Sequence, residues 1–166
     1  MSHHATSGSR TELRRPRPWP FRSGVGVLQR ALAAATAVLL GIDAYVHFHD
    51  AHFYDSAVTS SLSEGSLFRA QAIAAVVVAV ALLVRPHPVV WAVAVLVSAS
   101  AVGAVLLYTY VDVGALGPLP DLYEPTWVPA GKLASAVAEG LGTLFAIAGF
   151  VVAVWSRPRA ARHVQD

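Results

Sequence analysis

Four stretches of the chain, at about 25–47, 67–84, 89–110 and 132–155, are runs of apolar residues separated by polar, glycine- and proline-rich segments. Each has close to the ~20 apolar residues that cover ~30 Å of hydrocarbon at ~1.5 Å per residue. The valine-rich run at 75–84 would suggest a strand in water, but its length and lack of alternation favour a helix. Gln29 and Arg30 interrupt the first run near its start, where a long arginine reaches back to the interface. Arg85-Pro86-His87-Pro88 divides the second run from the third, because proline lacks the N–H that continues a helix. The pattern predicts an all-α fold, an integral membrane four-helix bundle.

Composition sharpens this picture. Hydrophobic residues make up 55% of the 166-residue chain and charged ones 13%, against about 25% charged in an average soluble domain. Lipid must then cover much of the surface, and the length suits one domain. Cysteine is absent from the sequence, which excludes disulfides, thiolate metal sites and cysteine nucleophiles. Ten of the twelve lysines and arginines fall on one side of the predicted spans, in 10–30, at Arg85 and in 157–162; the other side has Arg69 and Lys132. Both termini are therefore expected in the cytoplasm of a multi-pass plasma-membrane protein. Residues 1–24, with Pro16, Pro18 and Pro20 spaced by two, read as a disordered basic tail, and 156–166 as a second basic tail. Positive charge beside apolar spans serves topology, so no nucleic-acid partner is expected. The first run exceeds the ~7–15 residues of a signal core and no small-residue cleavage site follows it, so it reads as a retained span.

Ala134, Ala138, Gly142 and Ala146 recur every four residues on the fourth span, and Ala99 and Gly103 repeat the spacing on the third. Such small-residue stripes let backbones approach closely. The 111–131 loop is stiffened by Gly114, Gly117, Pro118, Pro120, Pro125, Pro129 and Gly131, yet carries Leu116, Leu119, Leu122 and Trp127. It is expected to fold back over the outer mouth of the bundle.

The chemistry lies in polar residues that apolar spans do not need. With the expected topology, Asp43, His47, Arg69, Gln71, Tyr108, Asp112 and Glu139 all fall in the outer half of the bundle. Glu139 lies seven residues into the fourth span, ~10 Å below its outer start, on a stripe with Ser135 and Thr143. A carboxylate in hydrocarbon costs about 2.5–3.5 kcal/mol on insertion scales, so it normally faces protein and has a partner. Arg69 is the expected partner of Glu139 or Asp43. Three readings account for the cluster. It is a structural ion-pair network; a metal or cofactor site; or a pocket for a lipid, quinone or similar amphiphile, lined by Tyr54, Tyr108, Tyr110, Tyr123 and Trp127. For a metal, His47, His49 and His52 with Asp43 and Asp50 offer ligands suited to zinc or copper. On a continuous helix His47 points away from His49 and His52, so the three converge only if the helix breaks near Phe48. No His-Glu-x-x-His motif supports hydrolytic zinc chemistry.

Several short motifs occur in order: His47 ending the first span, Leu67-Phe68-x-x-Gln71, Arg85-Pro86, a tyrosine-rich end to the third span, Gly117-Pro118-Leu119-Pro120, Glu124-Pro125-x-Trp127 and Ser135-x-x-x-Glu139-Gly140. Over roughly residues 28–155 the chain resembles a group of small, uncharacterised four-span membrane proteins of actinobacteria. The resemblance implies a four-helix bundle in the cell membrane, with His47 and Glu139 in the recurring pattern. A more distant likeness, to DoxX-type four-helix membrane proteins, rests on span number and polar placement. The expected role is a binding or accessory component without catalysis, working with a membrane-protein partner or as a homo-oligomer. The alternative is a redox subunit using a metal or quinone, and a transporter comes third.

Overall fold

The computed structural model describes residues 21–56, 61–128 and 130–156, and in them the chain is helical apart from its connections. Helix α1 is Phe21–Asp50, α2 is Glu64–Val84, α3 is Pro88–Tyr110 and α4 is Ala130–Trp155; a 3₁₀ turn, Ala51–Tyr54, extends α1. All four helices are long and apolar enough to cross a membrane. Among the described residues no strand forms, only an isolated bridge between Leu116 and Leu119. Of the tails expected in 1–24 and 156–166, residues 1–20 and 157–166 lie outside the described residues, whereas 21–24 already form the first turn of α1, and Ser156 is a turn just after α4.

Each helix outruns the apolar stretch that announces it, because capping groups and polar end residues extend the backbone pattern. Ser63 starts α2, its Oγ accepting from the Ser66 N–H at 3.1 Å, which satisfies one of the amide donors a helix start leaves free. Pro88 opens α3, where a missing N–H costs nothing, and His87 Nδ1 accepts from the Val89 N–H at 3.2 Å. Arg85, which precedes a proline, is extended and ends α2.

The C-terminal ends of α1 and α3 and the N-terminal ends of α2 and α4 line one common cavity. Neighbouring helices are therefore antiparallel, in an up-and-down bundle. Helix α1 packs along α2 and α4, α4 also packs along α3, and the α2–α3 seam is thinner.

The core is built mostly from alanine: Ala33, Ala37 and Ala44 on α1, Ala72, Ala75 and Ala79 on α2, Ala94 and Ala101 on α3, and Ala138, Ala146 and Ala153 on α4. Leu40, Leu82 and Trp91 are the large apolar side chains fully buried among the described residues, while Val77, Leu83, Leu96 and Leu144 point outward. This reverses the arrangement of a soluble bundle. Small residues bring the helices close, and large ones form the surface.

The small-residue stripes differ from expectation. Ala134 is exposed, whereas Ala138, Gly142 and Ala146 are buried and continue through Gly149 and Ala153. Steps of four and three residues keep the stripe on one face of a 3.6-residue helix, which steps of four alone do not. On α3 the buried stripe is Trp91, Ala94, Ser98 and Ala101, and Gly103 is exposed. Gly149 seats the Trp91 indole: a Cβ there would overlap the six-membered ring.

The 111–128 segment is irregular and folds back on the bundle. Gly114 and Gly117 have φ of +65° and +58°, a region that glycine enters without strain. Leu116 and Leu119 exchange backbone hydrogen bonds of 3.1 and 3.0 Å around Gly117-Pro118. The chain then returns, Pro120 becomes buried, and the Glu124 N–H donates to the Tyr108 carbonyl at 3.0 Å.

Candidate functional site

On α1, Thr36, Leu40, Asp43 and His47 follow one another at steps of four, three and four, and so share the inward face. Asp43 and Glu139 are almost wholly buried, at 1% and 2% exposure. Asp43 Oδ1 lies 2.7 Å from His47 Nδ1. That contact is electrostatic and not an aligned hydrogen bond, because the ring nitrogen is also directed at the Asp43 carbonyl, 3.0 Å away. The other oxygen, Oδ2, accepts from Gln71 Nε2 of α2 at 3.0 Å. Across the bundle, Ser135 Oγ donates to Glu139 Oε1, one helical turn on, and Glu139 Oε2 is buried without a hydrogen-bond partner. One potential ligand atom from each of Asp43, His47 and Glu139 lies within 4.8 Å of the other two. Phe68 of α2 holds the imidazole edge-on, with ring centroids 5.0 Å apart.

This cluster adjoins a cavity of about 260 Å³ at the same end of the bundle, to which His47, Gln71 and Ser135 contribute. Leu67, Phe68, Val105 and Leu122 give it apolar walls, and Asp50, Glu64 and Glu124 add carboxylates. The returning 111–128 segment roofs it. Tyr54 donates to Glu124 Oε2 at 3.1 Å. Lys132 Nζ donates to the carbonyls of Glu124 and Thr126, the latter at 2.9 Å, and sits 5.3 Å from the Trp127 ring centroid. The one lysine of the cavity wall is thus engaged by the roof.

Of the residues expected together, Asp43, His47, Gln71 and Glu139 converge, and Tyr108 lines the cavity. Arg69 does not join them. It makes a two-pronged pair with Asp55, at 2.6 and 2.7 Å, on the exposed side. The cause is local: Gly65 lies against Asp55 and the Ala51 carbonyl, and Arg69, one turn further along α2, shares that face. Asp112 is also outside the cluster; it is exposed and accepts from the Gly114 N–H at 3.2 Å. His49 and His52 do not meet His47. Helix α1 continues unbroken past Phe48, leaving both exposed, with ring centroids 6.2 Å from each other.

The Arg69 guanidinium holds the Asp55 carboxyl below the usual carboxylate range. A lowered folded-state value means the pair contributes above the unfolded value and is lost as pH falls through the folded one. Arg69→Gln is expected to leave the buried cluster intact and shift melting only slightly, less so in high salt. Melting curves at two salt concentrations check this.

Glu64, Glu124, Thr36 and Ser98 also belong to the interior polar set, and only the first and third are marked by helical spacing. Glu64 was readable: Glu64, Phe68 and Gln71 are spaced i, i+4, i+7, one helical face. Thr36, at the same kind of spacing from Asp43, was readable too. Glu124 is brought in by the roof, and Ser98, whose buried Oγ faces Gly142 without a partner, by the α3–α4 contact; no local pattern marks either.

No family model, curated protein or solved structure matches this chain. The chemistry of the site must therefore be argued from its own groups. Two buried carboxylates and one imidazole can hold a cation or share protons. The acidic, partly apolar cavity beside them can hold a small molecule with a cationic or hydrogen-bond-donating head.

Proposed function

We propose that this chain is a four-span protein of the plasma membrane, both termini cytoplasmic, that binds a small amphiphile in the roofed cavity on the extracytoplasmic side. The observation that carries the reading is the cavity itself. It is walled by the ends of all four helices, closed by a segment pinned through Lys132, and lined by both apolar and polar side chains. The outward large side chains along all four helices support insertion, since an apolar surface of that extent requires lipid. The arginine bias supports the orientation. Leu67, Phe68, Val105 and Leu122 suit an apolar body, and the carboxylates of Asp50, Glu64 and Glu124 suit a cationic or donor head.

Native mass spectrometry of the chain extracted with its surrounding lipid tests this. The expected result is one retained adduct per chain, lost in Ala101→Phe, whose ring enters the cavity from α3 while the fold persists. A wild-type chain with no adduct, or an adduct indifferent to Ala101→Phe, would overturn it. Because the sequence has no cysteine, single cysteines at 112 and 85 report topology cleanly. The first should react from outside intact cells and the second only after permeabilisation.

A further inference from the structure

We propose that Asp43, His47 and Glu139 form a binding site for one divalent first-row transition ion of the zinc class. The inference deepens the ligand-binding reading, because the ion would sit at the edge of the same cavity. It replaces the set His47, His49 and His52, of which His49 on α1 and His52 in the 3₁₀ turn are exposed.

The geometry of the two carboxylates carries it. Each has one oxygen held by a neutral donor, Asp43 Oδ2 by Gln71 and Glu139 Oε1 by Ser135. Glu139 leaves its other oxygen, Oε2, buried with no hydrogen bond, and Asp43 Oδ1 meets the His47 ring nitrogen 2.7 Å away. Those groups and the imidazole are the set of three that comes within 4.8 Å among the described residues. Carboxylates oriented by a neutral donor on one oxygen, with the other oxygen turned toward a shared point, are what a metal's ligands look like with their supporting shell in place. A purely structural network would be expected to give Glu139 Oε2 a hydrogen-bond partner as well.

Charge points the same way. Arg69 is engaged by Asp55 and Lys132 by the roof carbonyls, so the imidazole is the cationic partner that the described residues offer to two buried carboxylates. A divalent ion neutralises both acids at once. One nitrogen and two oxygen donors suit zinc and its neighbours better than magnesium or calcium, which prefer all-oxygen cages. Three protein ligands leave a coordination position for water or for a molecule in the cavity. The carboxylates of Asp50, Glu64 and Glu124 along the cavity would concentrate cations on the way in. Binding requires one imidazole nitrogen free of its proton and so releases any proton held there.

Cobalt(II) is the probe: the full-length chain in lipid nanodiscs, stripped with chelator, is titrated while the visible d–d absorption is followed. One equivalent is expected to bind and be displaced by zinc. His47→Ala and Glu139→Gln should each weaken binding by roughly 100-fold, at or above the upper end of what losing a supporting residue costs. A chain lacking His3, His4, His49, His52 and His163 together should bind unchanged. If either cluster variant fails to fold, X-ray absorption on the zinc-loaded wild type decides instead. One imidazole in an oxygen-rich shell supports the site; two or more imidazoles overturn it. No saturable binding, binding indifferent to His47 and Glu139, or binding lost in the chain without His3, His4, His49, His52 and His163 would each overturn it as well. A chain that takes cobalt but carries no organic adduct would sink the amphiphile reading alone. An adduct without cobalt would sink this one alone.

Discussion

Gly149→Leu is expected to disrupt the packing of α4 on α3 and lower the melting temperature markedly. Even one methyl at this position would overlap the Trp91 indole, which is fully buried between α3 and α4. Trp91 belongs to the same buried cluster as Ala94 and Ala146, all three fully buried, so the ring cannot swing out to solvent without unpacking its neighbours. Inserting a large side chain into a packed core typically costs about 1–3 kcal/mol and sometimes more. Glycine facing a ring is an extreme case, so the upper part of that range applies. For a chain of this size each kcal/mol moves the midpoint by about 2–4 °C, which gives a fall on the order of 10 °C. Circular dichroism melts in detergent would measure it. Pairing Gly149→Ala with Trp91→Phe should recover part of the loss of Gly149→Ala alone, a coupling between contacting residues. A wild-type midpoint for Gly149→Leu would mean that α3 and α4 do not meet as described.

The second large effect separates stability from binding. Asp43→Asn alone is expected to destabilise, because His47 loses the carboxylate 2.7 Å from its ring and remains largely enclosed. Breaking a buried pair by removing one partner costs about 3–5 kcal/mol. The triple variant Asp43→Leu, His47→Leu, Glu139→Met should behave oppositely. Replacing a whole buried charged group by apolar residues is often neutral or stabilising by about 1–4 kcal/mol, and here the surrounding core is already alanine and leucine. The triple variant should therefore melt at or above the wild-type temperature while losing all cobalt binding. If it melts well below the single variant, the cluster is there to hold the helices together, and the ion-binding reading loses its main physical support.

The packing of the four helices also explains why the interior polar groups tolerate close quarters. Thr109 and Thr143 turn their hydroxyls onto carbonyls of their own helices, Val105 at 2.6 Å and Glu139 at 2.8 Å. Such local bonds satisfy a hydroxyl without a partner helix. Thr36 and Ser98 do not do this, and their buried oxygens are unpartnered. Thr36 lies two turns before Asp43 on the inward face of α1, and Ser98 faces Gly142 of α4.

The sequence by itself determined the helix number and approximate spans, because an apolar run of ~20 residues with prolines and glycines between runs leaves little else for the backbone to do. It also determined that Asp43 and His47 share a face, since that follows from a step of four on a helix. It placed Glu139 at a similar level, because depth along a helix is a count of residues. Partner choice between helices was another matter. Whether Arg69 reaches Glu139 or Asp55 depends on which way α2 is rotated, and α2 is apolar on nearly every side, so no stripe fixes that rotation. Tertiary contact decided it: Gly65 docks on the turn after α1, which carries Arg69 to Asp55 and Gln71 to Asp43. In the same way, the cavity's acids and its roof depend on where an irregular segment lands, and only the pinning of Glu124 and Thr126 by Lys132 settles that.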